Sequence, residues 1–175
     1  MSRQDEVREL LPSVQMMRKK SDVFTETVPS ILSQSVQMAD GDAAKCRQIA
    51  STAASAVSLI EARDWSVSMA TEPGELVYDP QRQHKYLYAG KEEMTHDNPM
   101  FWPGAQGVYY WSVVPDIHEG YPVFPDVTGI VVFVKENSIW WDPSRQQKYL
   151  WAGDDYDCPS GYYPGATGVH QWERV

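Results

Sequence analysis

Four histidines, His84, His96, His118 and His170, and two acidic groups, Glu92–Glu93 and Asp154–Asp155 with Asp157, are the side chains of this sequence best suited to acid–base or metal chemistry. Paired carboxylates serve glycoside hydrolysis, and clustered carboxylate oxygens hold calcium. The spacing supports neither. The acids follow no D-x-D-x-D-G loop, and the histidines are scattered without ligand spacing. Only His84 and His170 fall in two matching segments of the chain, where the other segment has Gln147 and Tyr109, so a base or ligand there would exist once. Cys46 and Cys158 lie in regions of different composition and give neither a disulfide framework nor a zinc cluster. No G-x-S-x-G, phosphate loop or dinucleotide glycine fingerprint occurs. The expectation is a protein that is not an enzyme, with no catalytic residue, no metal site and no cofactor.

The remaining chemical signal is aromatic. Of 21 aromatic residues, only Phe24 and Trp65 precede Leu76, which divides the chain into two physically different halves. Neighbours on a strand point to opposite faces, so Trp140 with Trp141, Tyr109 with Tyr110, and Tyr162 with Tyr163 cannot all enter one core. One ring of each pair must meet solvent, another unit or a partner. Exposed Trp and Tyr anchor interfaces and stack on flat ligands. The formal charge of −9 disfavours nucleic acid and anionic membranes, which are bound through Lys and Arg. No run of eighteen apolar residues and no signal-peptide core is present, so the expectation is a soluble chain without membrane insertion.

The elements that must position these rings come in two kinds. Residues 1–64 read as helical. Val7, Leu10, Leu11, Val14 and Met17 recur at helical steps, and the Ala-rich, Pro- and Gly-free run Ala43–Trp65 predicts one long helix with Asp42 as its cap. Cys46, Ile49, Ala53, Ala56 and Ile60 form a narrow apolar seam on it, suited to self-association or to packing against the chain's own other helix. After Trp65 the sequence repeats itself. Nine of the fifteen positions Leu76–Gly90 are identical in Ile139–Gly153, and WPGAQGVYYW from Trp102 matches YPGATGVHQW from Tyr163. Each DP begins a reversal between β-rich runs, LVY with HKYLY and IWW with QKYLW, which places Tyr86 and Tyr88 on one face and Lys85 and Leu87 on the other. The predicted fold class is therefore α+β: a helical region at 1–64, a small antiparallel β unit at 65–114, a linker or packed crossover at 115–126, and a second β unit at 127–175.

The stretch YLWAGDDYDCPSGYYPGATGVHQW resembles the small chitin- or cellulose-type carbohydrate-binding modules. That resemblance implies stacking roles for Trp151 with Tyr162 or Tyr163, and for Tyr88 with Phe101 or Trp102. The whole layout, an Ala/Ser-rich helix followed by tandem small β modules, is similar to tailed-bacteriophage virion proteins of the fibre, head-fibre, adaptor or decoration type. It implies attachment and oligomerisation through the helical region at 1–64, and a homo-oligomer, with a trimer favoured, that is made in the host cytoplasm, incorporated in the virion and bound to other virion proteins. A host surface glycan is the further partner implied by the first resemblance.

Overall fold

A computed structural model describes residues 29–57, 61–105, 110–125, 130–159 and 161–175. The predicted amphipathic stretch Ser2–Met17 and the seam residue Ile60 lie outside them. Among the described residues the fold is α+β, with two helices and several small antiparallel sheets. Helix α1 occupies residues 29–39 of the described chain, and α2 spans Ala43–Val57. Between them the chain reverses at Asp40 and Gly41, both with positive φ. Asp42 then caps α2: its Oδ1 accepts the Ala44 and Lys45 N–H groups at 3.0 and 3.2 Å.

The predicted helix to Trp65 is too long. Arg63–Asp64 forms strand β1, paired in parallel with β3 (Leu76–Asp79), and the Trp65 N–H donates to Tyr78 O at 2.7 Å. The pairing delivers the Trp65 ring into the core, a burial that outweighs the mild helix preference of the preceding residues. An ion pair from Arg63 to Glu75 and a 2.9 Å hydrogen bond from its guanidinium to Ala70 O secure the strand.

The first strand set consists of β2 (Ala70–Thr71), β3, β4 (His84–Tyr88), β5 (Met94–Thr95) and β6 (Trp111–Val114). Antiparallel pairing joins β3 to β4, β4 to β6, and β2 to β5. Strands β7 (Ile117–His118) and β8 (Tyr121–Pro122) follow as a hairpin. The second set consists of β9 (Val132–Val134), β10 (Ile139–Asp142), β11 (Gln147–Trp151), β12 (Tyr156–Cys158) and β13 (Trp172–Arg174). Here β10 pairs with β11, β11 with β13, and β9 with β12. Registers correspond: Val77↔Tyr86 and Tyr88↔Trp111 in one set, Trp140↔Tyr149 and Trp151↔Trp172 in the other.

Two cores result. The larger one takes the inner faces of the four-stranded sheet β1–β3–β4–β6 and the three-stranded sheet β10–β11–β13, including Tyr86, Tyr88, Trp111, Trp140, Tyr149, Trp151 and Trp172. The smaller one joins the helices to the outer face of the first sheet through Leu76, Leu87 and Val114. Tyr86 and Tyr88 thus face away from Leu87, as the alternation requires. Residues expected as a linker or crossover are packed: Phe124 is buried, 5.8 Å from the rings of both Trp140 and Trp172, and its N–H donates to Trp141 O. Helix α2 reaches the second set as well. The Arg47 guanidinium grips Asp157 on β12 with two hydrogen bonds, 3.0 and 2.7 Å.

Candidate functional site

Each DP reversal is built by one carboxylate. Asp79 Oδ1 accepts the N–H groups of Gln81 at 2.9 Å and Arg82 at 3.4 Å, and its Oδ2 accepts the Arg82 guanidinium at 2.8 Å. Asp142 does the same for Ser144, Arg145 and the Arg145 guanidinium at 2.9, 3.3 and 2.8 Å. Both aspartates are buried. The arginine then lies against a glycine of positive φ in the PGA turn: a Cβ on Gly104 would sit 2.8 Å from Arg82 Cδ and 2.6 Å from Tyr86 Oη. On Gly165 it would sit 2.9 Å from Arg145 Nε and 3.0 Å from Tyr149 Oη. This corner anchors the loop that carries the aromatic residues.

Of the rings expected to stack on a ligand, two are corrected. Tyr88 is 0% exposed, with its hydroxyl donating to Glu92 O, and Trp151 is 3% exposed, with Nε1 donating to Asp154 O. Each fills the core and has no face to offer. Trp102 is half-buried, its ring 5.2 Å from Trp65 and its Nε1 donating to His96 O. Phe101, Tyr162 and Tyr163 are exposed. Phe101 meets Tyr110 edge-on at 6.2 Å, and the Arg145 guanidinium lies 5.4 Å from the centre of the Tyr163 ring.

Tyr156, whose surroundings the sequence presents only as a charged loop, is the residue that sequence reasoning missed. Its exposed ring lies over Trp151 at 5.8 Å, planes 14° apart, and 5.8 Å from exposed Tyr162. Trp151, Tyr156 and Tyr162 form a stepped series from core to solvent. The signal was present as alternation, because Cys158 faces inward and Tyr156 shares its side of β12.

Helix α2 turns Cys46, Ala50, Ala54 and Val57 onto the chain's own strands, a face that shares only Cys46 with the predicted seam. Cys46 is fully buried in the smaller core, Ile49 and Ala53 pack against that core, and Ala56 is half-buried. Burial pushes the Cys158 thiol up to about 12 and the Cys46 thiol above its ordinary value, so neither is a thiolate nucleophile at neutral pH. Two of the clustered acids have structural partners: Asp155 accepts the Glu136 N–H at 2.8 Å, and Asp157 holds Arg47. Among the described residues no three His, Cys, Asp or Glu side chains are close enough to hold a metal ion.

No family model and no curated protein matches this chain.

The four histidines fare differently, with His170 exposed to solvent. His118 stacks on Trp141 at 4.4 Å. His96 is buried between Tyr88 and Trp111, and among the described residues neither ring nitrogen makes a hydrogen bond. Burial pushes its imidazole below the ordinary value, against a smaller opposing pull from the Phe101 backbone. Burial lowers His84 too, opposed by Asp116 and Asp79. No helix among the described residues is long and apolar enough to cross a membrane.

Proposed function

We propose that this chain is a non-catalytic display protein, a structural subunit of tailed-phage type in which tandem copies of one small β unit hold aromatic rings toward solvent. The observation that carries this reading is the corner of aspartate, arginine, glycine and tyrosine. It recurs in both strand sets and supports an exposed ring at the same loop position, Phe101 in one and Tyr162 in the other. A protein that duplicates its scaffold and its exposed ring, but not its histidines, is organised for contact. Helices α1 and α2 fix the two units in one orientation through the smaller core and the Arg47–Asp157 pair.

Self-association falls to α1 in this reading, because α2 spends its Cys46, Ala50, Ala54 and Val57 face on the first sheet. Ile31 and Met38, seven positions apart on one helix face, are 55% and 84% exposed. Light scattering on the full chain at micromolar concentration is expected to give an oligomer, a trimer by the phage resemblance, that Met38→Glu dissociates. A clean monomer sinks the assembly reading.

The Tyr156–Tyr162 pair favours a second reading, glycan binding, since adjacent exposed rings suit the apolar faces of sugars. Tryptophan fluorescence titrated with bacterial surface polysaccharide is expected to respond through Trp151, which lies beneath Tyr156, and Tyr156→Ala removes the response. Silence of the unaltered protein across such polysaccharides rejects this second reading alone.

A further inference from the structure

Among the described residues, the outer face of the first sheet is closed and that of the second is open. In the first, Leu76, Leu87 and Val114 are 9%, 0% and 2% exposed beneath α1 and α2, where Cys46, Ala50 and Ala54 present small side chains to the strands. Ladder register identifies the same three places in the second sheet as Ile139, Leu150 and Val175. Ile139↔Leu150 matches Leu76↔Leu87, and the Val175 N–H donates to Lys148 O at 3.1 Å, in line with Lys85↔Val114. The residues are again aliphatic. Yet Ile139 and Leu150 are half-buried, and Val175 is 67% exposed. The β7–β8 hairpin covers only the adjoining corner, where His118 lies over Trp141 and Lys148 Nζ sits 4.4 Å from the centre of the Tyr121 ring.

One polar position separates the two faces. Ser112, opposite Leu87, is 2% exposed under the helices, and its counterpart opposite Leu150 is the exposed Glu173. Lys148 shares this face but is engaged by Glu119 and the Tyr121 ring at the hairpin corner, so a cover identical to α2 would bury the Glu173 carboxylate without a free cation. Two copies of this chain meeting by this face would bury two such carboxylates and bring no unengaged cation from the face to meet them. We propose that the outer face of β10–β11–β13 seats an amphipathic helix of a partner protein, with small side chains along its apolar seam and a Lys or Arg over Glu173. The small seam follows from the first sheet, where Ala and Cys let the helix approach a face of the same aliphatic residues. The cation follows from Glu173.

The test uses the full chain with labelled Ile, Leu and Val methyls and two synthetic peptides. One has the sequence of residues 42–57, which keeps the Asp42 cap, and the other carries Ala50→Lys in that sequence. Both are expected to shift the methyls of Ile139, Leu150 and Val175, the lysine peptide binding several-fold more tightly. Leu150→Lys weakens either peptide at least about tenfold, by placing a charge on the buried face. Glu173→Ser, an exposed change that leaves the fold intact, abolishes the preference for the lysine peptide. Shifts confined to Leu76, Leu87 and Val114, or no shifts at the solubility limit, overturn the proposal. So do shifts at the second face that grow with protein concentration and no peptide, which would assign that face to a second copy.

Discussion

Tyr86 and Tyr149 stand at the same ladder position and press their hydroxyls toward equivalent glycines, but the interiors around them differ in kind. In the first strand set Trp65 Nε1, Thr71 Oγ1, Tyr86 Oη and both His96 ring nitrogens are buried without hydrogen-bond partners among the described residues. In the second, register puts Val134 where the first has Thr71 and Cys158 where it has His96. One part of the shared core holds unpartnered polar atoms and the part at corresponding registers is apolar. The shared corner fixes the path of the chain, and the side chains it encloses differ in polarity and, at His96 and Cys158, in size. Cover varies too: two helices lie over one sheet, and a short hairpin lies over one corner of the other.

That comparison is broken most directly at the corner. Asp79→Ala and Asp142→Ala each strand an arginine and two turn N–H groups, and each is expected to cost about 3 kcal/mol in urea unfolding. Similar losses sharpen the equivalence. A loss under about 1 kcal/mol at either site means that the turn there is held by something else.

The interiors offer a smaller and signed effect. Val134→Thr places a hydroxyl in an apolar site and should cost about 1–2 kcal/mol. Thr71→Val removes an unpartnered hydroxyl of nearly the same shape and should stabilise by about 1 kcal/mol. Equal signs for the two exchanges would erase the distinction between the interiors.

Acid gives the smallest effect and the one most specific to the first set. An imidazole held below its ordinary value of 6.5 is neutral in the fold and takes up a proton more readily once unfolded. Stability contributed by a neutral His96 is therefore complete above about pH 6.5 and declines as pH falls below it. Thermal unfolding between pH 7.5 and 5 should show that decline, and His96→Leu should flatten it, with His84 supplying the remainder. An unchanged slope in the variant would remove His96 from the account.

Much of the strand plan is legible in the sequence because its determinants are local. DP-x-R-Q names the turn, its aspartate and its arginine together, and alternation in HKYLY and QKYLW assigns the faces. What is not legible depends on distant cover. Tyr88 and Trp151 read as available rings, and only the strands and residues packed around them show that they are core. Arg47 and Asp157 are 110 positions apart, and nothing near either foretells the pair. Helix propensity could not reveal that Arg63–Asp64 has a better use as a strand beside β3. The gap between the matching segments was also invisible in detail: register shows that one residue is lost between β11 and β12 and another after β12. That is why Tyr156 matches Met94 and escaped notice as a surface ring.

The last strand carries a consequence of its own. Among the described residues no strand pairs with the far edge of β13, so its amide and carbonyl groups there form an open ladder. Glu173 and Arg174, both exposed, lie along it with opposite charge. Neighbouring chains that tried to extend the sheet would have to dehydrate those charges, which is how native edges resist stacking into aggregates. Neutralising the two together would turn a tolerated rim into a nucleus for fibrils.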